Sequence, residues 1–199
     1  MMDDAAAPTP TRTTLPNLLT YFRLAAVPFL ILAFVQQWYL VALILFCLAG
    51  GTDLIDGYIA RRFNQRSRLG AILDPIADKL LMAVSFIGLA TVPGGKIIPI
   101  WFVVLVLGKD LFIIAGIGYF LWRKVPIEYG AVFWSKVTTL LLLVIGGLAL
   151  IDLTFPGVAI IGYPVWDFVF WGSFIGGALL IITILEYLQR GLEILQRPR

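Results

Sequence analysis

The sequence predicts an all-α integral membrane protein of six transmembrane helices. Of the 199 residues, 60% are apolar and only 14% charged, and the mean hydropathy is +0.96, whereas a soluble globular domain carries about 25% charged residues. Apolar stretches of the roughly 20 residues that a helix needs to cross a hydrocarbon core of about 30 Å fall near residues 17–36, 39–60, 70–91, 97–121, 130–152 and 165–188. Basic residues collect at alternate junctions of these stretches. Arg12 and Arg23 stand at the start, Arg61, Arg62, Arg66 and Arg68 between the second and third, Arg123 and Lys124 after the fourth, and Arg190, Arg197 and Arg199 at the end. The other side has only Lys96. By the positive-inside rule both termini and the basic loops face the cytoplasm, and topology and lipid headgroups account for most of these charges.

Each element follows from its own residues. Residues 1–14 read as a short disordered cytoplasmic tail, polar and proline-containing, without the basic region and apolar stretch of a secretory signal. Residues 15–199 read as a single domain, because six spans leave almost nothing for a second. The first span opens on Pro16-Asn17, with proline suited to a helix start, and Pro28 is placed to kink it. Gln36-Gln37-Trp38 makes a tight turn with an interfacial aromatic, and the second span runs to Ala60 before the basic loop Arg61–Leu69. The third begins at Gly70 and stops at Pro93-Gly94-Gly95; the fourth reaches Trp122-Arg123, before Val125-Pro126. In the fifth, Gly146-Gly147 suits close helix contact. An uncharged loop over about 153–164 leads to the sixth, bracketed by Trp166, Trp171 and Tyr187. No internal repeat marks an inverted-repeat transporter.

Composition also narrows the chemistry. The absence of histidine removes phosphohistidine chemistry, His-ligated zinc and a histidine base. The single cysteine, Cys47, lies mid-span among Leu45, Phe46 and Leu48 and reads as a small core residue. Acid–base work falls to carboxylate or lysine.

Four carboxylates stand where they are expensive: Asp53 and Asp56 near the end of the second span, Asp74 and Asp78 near the start of the third. Residues three or four apart share a helix face, and the two spans are consecutive and antiparallel. Both pairs therefore lie at similar depth, on the order of 6–12 Å below the basic loop by helical rise. Bare, the cluster would carry about −4 in a medium of low dielectric, where like charges drive protonation. Hard divalent cations resolve the conflict, since Mg²⁺, Mn²⁺ and Ca²⁺ take oxygen ligands and two ions can share four carboxylates. A two-metal site points to displacement at phosphorus. Gly57 and Gly70 leave room beside Asp56 and Asp74 for a bulky ligand, Arg61 is placed to meet a phosphate, and Asp78 is the candidate to accept a hydroxyl proton.

These residues resemble a specific signature. Asp53-Leu-Ile-Asp56-Gly57-Tyr-Ile-Ala60-Arg61, eight residues, Gly70, then Asp74 and Asp78 is similar at all eight fixed positions to the motif of the CDP-alcohol phosphatidyltransferases, and the resemblance extends through six spans and the opening Pro16-Asn17-Leu-Leu-Thr20-Tyr-Phe-Arg23. It implies a six-helix bundle, usually homodimeric, with an active site opening to the cytoplasm within the membrane. It implies that Asp53, Asp56 and Asp74 bind one divalent cation and that Asp53, Asp74 and Asp78 bind the other, Mg²⁺ first and Mn²⁺ as the alternative. Asp78 is then the base, and Asp56, Gly57, Ala60, Arg61 and Gly70 line the pocket for the CDP of CDP-diacylglycerol, from which CMP is released. Without a histidine or a reactive cysteine, direct transfer fits better than a covalent intermediate.

The acceptor is sought in Gly108-Lys109-Asp110 of the fourth span and Ser135-Lys136-Val137-Thr138-Thr139 of the fifth. Lys109 and Lys136, deep in lipid, want anionic company, and a phosphorylated acceptor or the aspartates would supply it. These segments are similar to those of phosphatidylglycerophosphate synthases and cardiolipin synthases, although both usually carry arginine at the position of Lys109. Glycerol 3-phosphate is the favoured acceptor, ahead of phosphatidylglycerol, then inositol phosphate, serine or another alcohol. Nucleic acid is not an expected partner. A divalent-cation transporter is the competing class, but it needs polar residues continuing to the far side, and spans two and three are almost purely apolar beyond the cluster. A scaffold would not need two carboxylate pairs at one depth.

Overall fold

A computed structural model describes residues 15–63, 68–93, 97–123 and 133–196, with the side chains of 15–19, 52–63, 68–72, 74, 121 and 133 outside the description. The expected tail, 1–14, lies outside the described residues. Six helices follow in order: α1 (Leu15–Val35), α2 (Tyr39–Phe63), α3 (Arg68–Thr91), α4 (Ile100–Trp122), α5 (Phe133–Thr154) and, after the short strands β1 (Ala159–Ile160) and β2 (Tyr163–Pro164), α6 (Val165–Gln196). Segments Ile100–Phe120, Trp134–Thr154 and Val165–Gln196 are long and apolar enough to cross a membrane, while Thr20–Val35 and Tyr39–Gly51 are shorter apolar stretches.

Packing closes the helices into a ring in the order α1, α3, α4, α6, α5, α2 and back to α1. Among the described residues, α1 packs against α2 and against α3 more extensively than those two pack against each other. The sequence neighbours α2 and α3 thus share α1 as a common support.

Helices in lipid gain little from the hydrophobic effect on association, so close van der Waals contact has to hold them. Here aromatic rings seat on glycines of the facing helix. A Cβ on Gly146 of α5 would stand 2.8 Å from Cζ of Phe46 on α2, one on Gly176 of α6 would stand 2.9 Å from Cζ of Phe102 on α4, and one on Gly88 of α3 would enter the ring of Phe34 on α1. Phe102 also meets Phe86 of α3 edge-on, with ring centroids 5.8 Å apart. Between α5 and α6 the fully buried hydroxyls of Thr138 and Thr183 lie 3.1 Å apart, a polar tie of the kind that supplements packing in lipid.

The connections show local causes. Gln37 closes α1 in the left-handed conformation (φ 58°), with the Trp38 N–H donating to the Ala33 carbonyl and the Gln37 N–H to that of Phe34, the Schellman pattern. In the uncharged loop between α5 and α6, β1 and β2 form a small antiparallel hairpin, Ile160 opposite Tyr163. Its two turn residues, Ile161 (φ 54°) and Gly162 (φ 83°), have the paired positive φ of a type I′ turn.

Several expectations are corrected. Cys47 is exposed rather than a core residue, on the outward face of α2. The second helix does not stop at Ala60; α2 continues to Phe63 and α3 begins at Arg68, so Arg61, Arg62 and Arg68 belong to helices. α6 runs to Gln196, and its 32 residues span about 48 Å at 1.5 Å per residue. Hydropathy falls at the charges from Glu186 onward, but Arg190 pairs with Glu186 one turn before it at 3.1 Å, and the helix needs no lipid to continue.

Candidate active site

Asp53, Asp56, Gly57, Ala60 and Arg61 lie on the second half of α2, and Gly70, Asp74 and Asp78 on the first half of α3. The two helices touch each other and both pack on α1. Pro75 sits inside α3 directly after Asp74, which removes one N–H from the helical ladder beside the aspartate pair. Of the expected site, the side chains of Asp53, Asp56, Gly57, Ala60, Arg61, Gly70 and Asp74 lie outside the described residues. Asp78 is described, and it is not alone.

Arg23, reaching from α1, donates from Nη1 to Oδ1 of Asp78 in an ion pair across 55 residues of sequence. Arg23 is 1% exposed and ranks among the largest fully buried side chains, whereas the Asp78 side chain is 36% exposed. This corrects the assignment of Arg23 to the cytoplasmic topology charges, since its guanidinium is turned into the bundle. A buried arginine needs an anion within reach, and Asp78 is one such partner. Thr20, one turn earlier on α1, is also 1% exposed, so the polar positions of the Thr20-Tyr-Phe-Arg23 opening face inward together.

A second polar cluster joins α3 to α4. The ammonium of Lys79 lies 3.5 Å, and that of Lys109 3.2 Å, from Oδ1 of Asp110. Lys109 is 6% exposed. Among the described residues two cations share one carboxylate, which leaves a surplus positive charge there. Lys136, by contrast, is exposed on α5, and Thr138, two residues on, turns inward to Thr183. The structure therefore brings Lys109 into a polar cluster and leaves Lys136 outside it.

The donor set suits hard divalent cations, because the expected ligands are carboxylates without soft or imidazole donors. Asp78 already holds one cationic group on Oδ1 and stays partly open. Among the described residues no three of the acidic, histidine or cysteine side chains converge, and Asp53, Asp56 and Asp74 lie outside that description.

Comparison with known proteins now decides the family. The family model described as CDP-alcohol phosphatidyltransferase matches residues 13–185. The chain belongs to this family. Over 114 residues, 57% of this chain and 37% of the other, it is 38% identical to the human cardiolipin synthase (CMP-forming). Over 76 residues, 37% of this chain and 42% of the other, it is 46% identical to the CDP-diacylglycerol–glycerol-3-phosphate 3-phosphatidyltransferase of Escherichia coli (strain K12). It is also 38% identical over 113 residues to the cardiolipin synthase (CMP-forming) / mitochondrial hydrolase fusion protein of Schizosaccharomyces pombe, covering 57% of this chain and 18% of that protein. The matched segments thus span less than half of each of these relatives. With three apolar helices of membrane-crossing length, this family member is a membrane protein.

Sequence reasoning missed Arg23 and Lys79 as site neighbours. The signal for Arg23 was present: an arginine three residues after a threonine within an apolar helix projects from the same face as that threonine, and a charge there is a candidate for function before topology.

Proposed function

We propose that this protein is a metal-dependent CDP-alcohol phosphatidyltransferase, transferring the phosphatidyl group of CDP-diacylglycerol to an alcohol with release of CMP. The observation that carries this reading is the spacing Asp53, Asp56, Gly57, Ala60, Arg61, Gly70, Asp74 and Asp78 inside the matched residues 13–185. In this reading all six helices lie in the membrane, both termini and the site face the cytoplasm, and the protein works as a homodimer. The basic residues at alternate junctions support the orientation, and the family resemblance supports the dimer.

Asp53, Asp56, Asp74 and Asp78 would hold two divalent cations, Mg²⁺ in first place, which neutralise the pyrophosphate of the liponucleotide when bound. Arg61 would contact the CDP phosphates, with Asp56, Gly57, Ala60 and Gly70 shaping the pocket. The acceptor oxygen forms a bond to the phosphatidyl phosphorus as the bond from that phosphorus to the CMP oxygen breaks. Asp78 takes the hydroxyl proton, and CMP leaves with the electron pair.

Glycerol 3-phosphate is the acceptor we favour, giving phosphatidylglycerol phosphate. Its support is the surplus positive charge of Lys79 and Lys109 around Asp110, which suits a small phosphorylated alcohol. Phosphatidylglycerol is the second reading, supported by the longer matched stretch in the cardiolipin synthases. The test is CMP release by purified protein given CDP-diacylglycerol, Mg²⁺ and, side by side, glycerol 3-phosphate, phosphatidylglycerol, inositol phosphate and serine. Release only with phosphatidylglycerol would replace the first reading by the second. No release with any acceptor would remove the activity.

A further inference from the structure

We propose that Arg23 is a positioning residue for the transfer: from α1 it holds Oδ1 of Asp78, so that this carboxyl meets the acceptor hydroxyl through its other oxygen in one fixed orientation. The inference rests on the reading of Asp78 as the base. It starts from the burial contrast, with Arg23 1% exposed and Asp78 36% exposed. An arginine that served topology or headgroups would extend its guanidinium to the interface. This one is directed inward, and it meets a carboxylate that keeps an open side.

The surroundings make the contact rigid. α1 packs on both helices that carry the aspartates, and the ring of Phe34 seated on Gly88 fixes α1 against α3 further along. A planar guanidinium constrains the direction as well as the distance of its partner. An aspartate at a helix surface otherwise samples several rotamers. A base that has to stand within hydrogen-bond reach of a hydroxyl gains from losing that freedom, and misplacement by about 1 Å can cost on the order of 100-fold in rate.

The experiment compares wild type, Arg23→Gln, Arg23→Lys, Asp78→Asn and the double variant Arg23→Gln/Asp78→Asn in detergent. CMP release with glycerol 3-phosphate is measured in saturating Mn²⁺, and the affinity for Mn²⁺ alone by electron paramagnetic resonance. Positioning predicts that Arg23→Gln lowers kcat roughly 10- to 100-fold with the KM for CDP-diacylglycerol within about threefold. Mn²⁺ is bound no more weakly, because a competing cation has left, and Arg23→Lys recovers part of kcat. In the Asp78→Asn background the same change lowers the residual CMP release by a smaller factor than it does in wild type, since the partner it orients is gone. Unchanged kcat in Arg23→Gln overturns the proposal. So does a rise in KM with kcat intact, which would make Arg23 a substrate ligand, and so does weakened Mn²⁺ binding without rescue by lysine, which would make it a structural strut. Failure of the underlying reading has a different signature: wild type releases no CMP with any acceptor.

Discussion

Lys109 would ordinarily be too costly at 6% exposure, and it is tolerated because Asp110 lies 3.2 Å away. Lys79 reaches the same oxygen at 3.5 Å, so replacing Lys109 by Gln leaves a neutral pair rather than a stranded carboxylate. We expect Lys109→Gln to raise the KM for glycerol 3-phosphate by roughly tenfold or more, as for a lost charge-assisted hydrogen bond. The KM for CDP-diacylglycerol should stay unchanged. Equal KM values for the acceptor would remove Lys109 from acceptor binding. Ile161 carries a different cost, holding φ 54° with a β-branched side chain that is 89% exposed. Asparagine adopts that conformation readily at the first position of a type I′ turn. Ile161→Asn should therefore raise thermal stability by a few tenths to about 1 kcal/mol, read as an upward shift in Tm; a fall would show that the turn conformation differs. The aspartate pairs stand out from spacing alone, because four carboxylates at one depth in apolar helices call for a shared cationic partner, and of the four only the Asp78 side chain lies within the described residues. Arg23 offered a weaker signal, its spacing from Thr20 on one helix face, which competes with its reading as a topology charge near a helix start, and the packing of α1 onto α3 shows which way it faces.

Between helices, the decisive feature is the seating of rings on glycines. Gly146 has Phe46 Cζ 2.8 Å from where a Cβ would stand, whereas Gly116 on α4 has nothing within 4 Å. Gly146→Ala should cost about 1–3 kcal/mol through overpacking, with α2 forced away from α5. Gly116→Ala should be neutral or stabilising by up to about 1 kcal/mol through helix propensity. Chemical or thermal denaturation in detergent separates them, and equal effects would mean that the α2–α5 contact is loose. The Gly146-Gly147 pair announced a close contact in the sequence, but its partner helix was not readable, since periodicity says which face is small and not what fills it. The ends of the helices were less legible. Hydropathy marks the limit of lipid, while α2 beyond Ala60 and α6 beyond residue 188 are continued by backbone hydrogen bonds and pairs such as Glu186 with Arg190.

Taken together, the six helices form a ring in which α1 supports both aspartate-bearing helices, and the family match runs through nearly all of it, over residues 13–185. Element number and order were readable because each span requires about 20 apolar residues. The ring order was not, because contacts among lipid-borne helices depend on small residues and shape rather than on hydropathy. Acceptor choice is the least legible property, since relatives named for two different acceptor reactions both match this chain. In the proposed function both acceptor readings share transfer at a divalent-cation centre carried by α2 and α3. CMP release from CDP-diacylglycerol and glycerol 3-phosphate should fall to background when divalent ions are fully chelated and return on adding excess Mg²⁺ or Mn²⁺; release that persists undiminished after complete chelation would refute it.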